Sequence, residues 1–467
     1  MADLSSTGFS EERTAVTQDA DASRSGAAPF ADCSPTPERV SPSAAPDTTA
    51  AGNADRRDVI ISVQHLEFEF TLRGQILHAL RDVSLEVYRG ESLAIVGESG
   101  SGKSVFVSTL MGLNAANGYI KSGHIYYDGE DLTAYKTNED WAKIRGRRIA
   151  MVMQDPMTSL NPLKTIGWQI KEAVTLHQGL KGTAAKKAVY DLLTEVGIDD
   201  PERRYKQYPH EFSGGMRQRV VIAIALACKP EILICDEPTT ALDVTIQAQI
   251  LGILKDLKEK YHLTTIYITH DLGVVANVAD RIAVMYAGDF VEIGTANEVF
   301  FDPRHPYTWA LLSSLPQLGV KGEDLYTIVG TPPNLFYEVH GDAFAPRNPH
   351  PLKIDFVKRP PLYAVSETHT ARTWLLDPRS PKVDPPEHIL TLREEGRELG
   401  ILGTEYGTIA EDAAVPVASS ADTPASAGSA AEPAAASTAD RVPAAEGSPA
   451  DTDASAGSTA GPERNRS

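Results

Sequence analysis

Hydrophobic and polar positions divide the chain into an ordered middle and two polar ends. Order begins near Val59, where VIISVQHLEFEF alternates loosely and is rich in β-formers, which predicts a strand. The stretch LHALRDVSLEVYRGE predicts two further strand pieces joined by turns. SLAIVG, residues 92–97, is a short apolar run ending in glycine and suits a buried parallel strand, with a helix expected from Lys103 to about Gly112. Three more strand-like runs follow: RIAMVMQ (148–154), EILICDE (231–237) and TTIYITH (264–270). Helical patterns alternate with the last two, VVIAIALAC before them and IQAQILGILKDLKEKY between. Strands alternating with helices predict an α/β core on a parallel sheet. Residues 155–210, with AAKKAVYDLLTEVG, read as a helical insertion.

Composition adds the ends. Residues 1–57 and those from about 405 onward are rich in Ala, Ser, Thr, Asp and Pro. They hold too few large apolar residues to offset the entropy of ordering, so both are expected to be disordered tails. They also carry most of the formal charge of -19, leaving a mildly acidic middle with no basic stripe for nucleic acid. Three cysteines, Cys33, Cys228 and Cys235, make neither a disulfide framework nor a zinc site. The first residues lack the basic start and apolar stretch of a signal peptide. The longest apolar run, Val220 to Cys228, is far too short to span a membrane.

The chemistry sits at the strand ends. Gly97-Glu98-Ser99-Gly100-Ser101-Gly102-Lys103-Ser104 fits the pattern G-x-x-x-x-G-K-[ST], between a predicted strand and a predicted helix. Its glycines let backbone N–H groups turn toward phosphates, and the helix N-terminus adds the positive end of its dipole. Lys103 supplies charge to the β- and γ-phosphates, and the Ser104 hydroxyl can ligate Mg²⁺. ILICDE ends in two carboxylates: Asp236 is placed to hold Mg²⁺ and Glu237 to polarise an attacking water as general base. Ser213-Gly214-Gly215, within FSGGMRQR, caps the apolar helix and leaves amides bare at its start, a second anion site.

FSGGMRQR resembles the signature, usually written LSGGQ, of the ABC transporter ATPases, with Phe212 for Leu and Met216 for Gln. The resemblance implies that Ser213, Gly214 and Gly215 grip nucleotide bound to an opposite ATPase chain. It also implies roles for Gln154 (the Q-loop glutamine, touching Mg²⁺ or water), Asp243 in the Ala241-Leu242-Asp243 D-loop, His270 (the switch histidine) and Phe70 (stacking on adenine). The expected fold is an ABC-type P-loop ATPase: a mainly parallel sheet core, an antiparallel β subdomain, a helical subdomain and a small C-terminal extension. The expected divisions are a tail over 1–57, the ATPase over 58–300, a C-terminal region over 301–390, and a short helix and second tail over 391–467.

MQDPMTSLNP (153–162), HPYTWALLSSLP (305–316), GTPPNL and TWLLDPRSPKV are similar to the oligopeptide/dipeptide/nickel import branch, most like its D-type ATPase subunits. That similarity implies ATP and Mg²⁺ as ligands, an F-type partner ATPase in a heterodimer, two membrane permease subunits and an external peptide-binding protein. The chain would lie peripherally at the cytoplasmic face of the membrane; peptide length, or nickel as cargo, stays open. Non-transport ABC proteins usually carry paired ATPase modules, zinc cysteines or a coiled coil, and exporters often a fused membrane domain; neither pattern is present. Many members of this branch carry four C-terminal cysteines that look like iron–sulfur ligands. Here Asp342, Asn348, Asp355 and Thr373 stand at those places, so no cluster is expected, and the region should be held by apolar packing and by polar contacts among Asp342, Arg347 and their neighbours.

Overall fold

The computed structural model describes residues 58–240, 242–315 and 328–402. Both expected tails and Ala241 lie outside these residues. The chain opens with a hairpin of β1 (Val59–Leu72) and β2 (Gln75–Tyr88), turned tightly at Arg73-Gly74. Both turn residues have positive φ, as a two-residue turn matched to strand twist requires. The stretch expected to break into two strand pieces is instead the single strand β2. The Arg81-Asp82 step that reads as a turn is absorbed as a bulge, with Asp82 at φ 52°.

There follow β3 (Ser92–Val96), β4 (Gly118–Tyr127), β5 (Glu130–Asp131), β6 (Ile149–Val152), β7 (Ile232–Asp236), β8 (Thr264–Thr269), β9 (Arg281–Tyr286), β10 (Asp289–Thr295), β11 (Tyr363–Ala364) and β12 (Thr370–Ala371). An antiparallel sheet runs β2-β1-β4-β5. The larger sheet runs β11-β12-β10-β9-β3-β8-β7-β6. Its strands from β9 to β6 are parallel, and the remainder are antiparallel. The central strands β3, β7, β8 and β9 are buried along their whole length, which is why β3 and β7 read as short apolar runs.

Alternation across this sheet supplies two cores. Leu93, Ile95, Ile234, Ile266 and Met285 face the antiparallel sheet and pack with Phe68, Leu80, Phe106 and Phe290. Ala94, Val96, Leu233, Cys235 and Val284 face the helices. On that side helix Gly214–Ala227 is apolar almost all round and deeply buried. Helices Ile166–Gln178 and Gly182–Glu195 form the insertion; Ile166, Ile170 and Val174, four residues apart, meet Val189 and Leu193 in the core. Of the two described cysteines, Cys235 is a small core residue and Cys228 is half-buried; burial raises both thiols, Cys228 to about 11.

The C-terminal residues are built into the larger sheet. β12 pairs with β10 through Glu292–Ala371 and Ile293–Thr370, and the fully buried His369 Nε2 lies 2.8 Å from Glu292 Oε1. The expected short helix starts before residue 391: it spans Glu387–Glu398 and buries Ile389 in the helix-side core. Among the described residues no helix is long and apolar enough to cross a membrane.

Candidate functional site

The phosphate-loop motif lies between β3 and helix Lys103–Leu110, as its context predicts. Gly97 has φ 154°, and a Cβ there would stand 2.1 Å from the Met285 carbonyl oxygen, so no larger residue fits. The loop is tied at its back. Glu98 N–H donates to the Tyr307 hydroxyl at 2.8 Å, and Gly288 N–H, in the turn between β9 and β10, donates to Ser101 O at 2.8 Å. Lys103 folds inside the loop, where its Nζ donates to Gly97 O at 2.7 Å and Glu98 O at 2.9 Å. Burial pulls its pKa down, opposed by the nearby Glu237, Asp236 and Glu98 carboxylates. Ser99, Gly100 and Ser104 are exposed.

β7 brings the carboxylate pair to the same edge. Ser104 Oγ donates to Asp236 Oδ1 at 3.4 Å. Burial raises the Asp236 pKa, the adjoining Glu237 charge adds to this, and Ser104 and Lys103 oppose it. Glu237 stands in the left-handed region at φ 44°, an unfavourable conformation for a residue with a side chain, held by its N–H donating to Ile268 O at 2.9 Å. Three side chains converge on its carboxylate. Gln154 Nε2 donates at 2.8 Å and Thr240 Oγ1 at 2.9 Å, both to Oε2, while His270 Nδ1 lies 3.3 Å from Oε1. Gln154, Glu237 and His270, singled out separately along the sequence, thus form one cluster.

Other candidates stand apart from it. Ser213 caps helix Gly214–Ala227 by accepting from Met216 N–H at 3.3 Å, with Ser213 and Gly214 exposed. Asp243 caps helix Val244–Tyr261, accepting from Ile246 N–H at 3.0 Å. The two caps are neighbours: a Cβ on Gly214 would touch Leu242, and one on Gly215 would strike Ile246. Among the described residues no hydrogen bond joins Ser213, Gly214, Gly215 or Asp243 to the phosphate loop of the same chain. Phe70 is half-buried edge-on to Phe68, their centroids 5.1 Å apart. Phe68 pairs with Leu80, whose side chain lies against Gly102, so the hairpin carries Phe70 to the vicinity of the loop.

Thr240, Tyr307 and Gly288 were not singled out by sequence reasoning. Arg347 departs most from expectation. Its guanidinium does not meet Asp342; it makes a two-pronged ion pair with Glu98, Nη1 to Oε2 at 2.7 Å and Nη2 to Oε1 at 2.9 Å. Asp342 is already engaged, its Oδ1 accepting from Phe344 N–H at 2.9 Å, and burial pushes its pKa up to about 7. The other three residues standing at the positions compared with the cysteine pattern behave alike. Asn348 accepts from His350 N–H at 2.9 Å, Asp355 from Leu352 N–H at 2.6 Å and Thr373 from Leu375 N–H at 3.3 Å. These hard oxygen acceptors, each held by a backbone amide, do not fit an iron–sulfur cluster.

A glycine-rich loop opening a helix, with a strand-end carboxylate pair facing it, defines a P-loop ATPase. The ABC transporter family profile matches residues 80–240, and that of the oligopeptide/dipeptide transporter C-terminal region matches residues 291–353. The oligopeptide transport ATP-binding protein AmiE of Streptococcus pneumoniae is 57% identical over 342 residues, 73% of this chain and 96% of its own. The oligopeptide transport ATP-binding protein OppD of Bacillus subtilis is 54% identical over 332 residues, 71% of this chain and 92% of its own. The dipeptide transport ATP-binding protein DppD of Lactococcus lactis is 52% identical over 341 residues, 73% and 97%. A solved dimeric ATP-binding cassette in a post-hydrolysis state with ADP and Pi covers 50% of this chain and 98% of its own, at 28% identity and a TM-score of 0.46. The chain belongs to the ABC transporter family of ATP-binding proteins, in its oligopeptide/dipeptide branch, and is an ATPase coupled to transport.

Proposed function

We propose that this chain hydrolyses ATP to drive uptake of oligopeptides through a pair of membrane permease subunits, docked at their cytoplasmic face and supplied by an external peptide-binding protein. The 57% identical relative is named for oligopeptide transport, and its similarity runs through the C-terminal region. The observation that carries the catalytic assignment is the Glu237 carboxylate, held by Gln154, Thr240 and His270 beside the Ser104–Asp236 pair.

In this reading the amides of residues 97–104 cradle the phosphates, and Lys103 exchanges its two carbonyl contacts for the β- and γ-phosphates. Ser104, Asp236 and Gln154 offer hard oxygens of the kind Mg²⁺ takes, and they would hold it. Bound Mg²⁺ neutralises charge on the β- and γ-phosphates. Glu237 polarises the attacking water, Gln154 and Thr240 fix its carboxylate, and His270 reaches the γ-phosphate. Phe70 stacks on the base. Ser213, Gly214 and Gly215, with Asp243 beside them, present exposed helix N-termini to the nucleotide of a second ATPase chain, which explains their separation from their own phosphate loop. An F-type subunit as that second chain fits the resemblance to D-type subunits.

Glu237→Gln in the assembled transporter tests this directly. Nucleotide binding should persist while turnover falls by about 10²–10⁴-fold, the usual worth of a positioned general base. Near-normal hydrolysis would remove Glu237 from the role.

A further inference from the structure

The C-terminal region reaches the nucleotide site from behind. Leu335 O accepts from His78 N–H at 2.9 Å, on the hairpin that carries Phe70. Arg81 Nε donates to Ala287 O at 2.8 Å, in the turn that ties Ser101, and Arg81 Nη1 donates to Val339 O at 3.4 Å. Phe344 packs against Tyr307 and Tyr286, with ring centroids 5.3 and 5.4 Å away, and Tyr307 is the acceptor for Glu98 N–H. Arg347 then takes the Glu98 carboxylate itself.

This ion pair is built with care for geometry. The Arg347 side chain is 4% exposed and that of Glu98 24%. Arg347 Nη1 also donates to the Tyr286 hydroxyl at 3.1 Å and Nε to Val329 O at 3.1 Å, so the fork is aimed before it meets Glu98. Bidentate, charge-assisted pairs of this kind are the strong ones. Glu98 is the second residue of the phosphate loop, and it is an anion in a cradle for anions. Freed of Arg347, the Glu98 carboxylate is still drawn to Lys103, which already feels its charge and whose Nζ sits 2.9 Å from the Glu98 carbonyl oxygen. A carboxylate turned toward Lys103 would stand against the phosphates that Lys103 is there to meet.

We propose that Arg347 is a positioning residue for ATP: it holds the Glu98 carboxylate outward, so that the C-terminal region sets the affinity of the phosphate loop for nucleotide. The inference rests on the reading of residues 97–104 as the phosphate cradle. The two predict different results.

The test measures dissociation constants of the full-length chain for a non-hydrolysable ATP analogue and for adenosine. Arg347→Gln should weaken the ATP analogue about tenfold, in line with a well-placed charged contact, and leave adenosine unchanged. In a Glu98→Gln background the same change should cost less than about threefold, because no carboxylate remains to be held away. Arg347→Lys, which keeps the charge and loses the fork, should fall between and serves if Arg347→Gln does not fold. Equal losses in both backgrounds would make Arg347 a tether for the C-terminal region and overturn the proposal. So would an unchanged ATP affinity in Arg347→Gln where Lys103→Ala abolishes binding. If Lys103→Ala itself binds normally, the cradle reading has failed, and the proposal with it.

Discussion

At the end of β7 one carboxylate collects the polar groups of three separate segments. Gln154 follows β6, Thr240 follows β7 and His270 follows β8, and all three address Glu237. The strained backbone at Glu237 orients the carboxylate, and the side-chain donors then fix it. Thr240→Val removes one of the two donors to Oε2 with little change in volume. It should lower kcat roughly tenfold and leave the ATP affinity within about twofold, since the lost contact acts on the base alone. A parallel rise in KM, measured by steady-state ATPase assays, would place Thr240 in nucleotide binding instead. Residues inside a motif could be read from sequence because each has a fixed spacing tied to a phosphate, a metal or a helix start. The partner of Arg347 could not: Arg347 was expected to meet Asp342, close by in sequence, and instead meets Glu98 across 249 residues of chain.

At the scale of elements, the buried strands β3 and β7 were legible because two-sided burial demands continuous apolar runs, whereas β9, which opens on Arg281, was not read. The insertion helices were legible through their four-residue apolar repeat. β2 misled because Arg-Asp in an alternating stretch has the chemistry of a turn, and only its partners, His65 and Arg359 on the Asp82 carboxylate, keep it in the ladder. β11 and β12 are too short for any pattern. The turns over 341–373 are held in part by four oxygen acceptors, Asp342, Asn348, Asp355 and Thr373, that take backbone amides. Burial has a consequence for pH at Asp342, and its neighbours Asp355 and Asp289 add to it. Its pKa is raised from 3.8 to about 7 in the folded chain. The charged form therefore costs stability increasingly as pH rises through that window, and in full above it. Asp342→Asn keeps an acceptor for Phe344 N–H without the charge. It should raise the melting temperature at pH 8 and change it much less at pH 5, by differential scanning fluorimetry. An equal shift at both values would mean that Asp342 is not buried in its charged form.

For the molecule as a whole, the large sheet is both scaffold and coupling element. Its C-terminal edges present the phosphate loop and Glu237, and its antiparallel end is completed by residues from the C-terminal region. Helix Gly214–Ala227 starts at an exposed end capped by Ser213, with the Asp243 cap beside it and no hydrogen bond to the phosphate loop among the described residues. On the function proposed above, one chain would offer half of each of two sites, so that hydrolysis would depend on a second ATPase chain. The central claim is that hydrolysis at this site powers solute movement. It is tested most directly by ATP-dependent accumulation of a labelled oligopeptide in vesicles carrying the permease pair, both ATPase subunits and the external binding protein. With the native chain, uptake should follow ATP hydrolysis; with Glu237→Gln, both should fall together while nucleotide still binds. Oligopeptide accumulation that continues at the native rate in the Glu237→Gln vesicles would contradict the account.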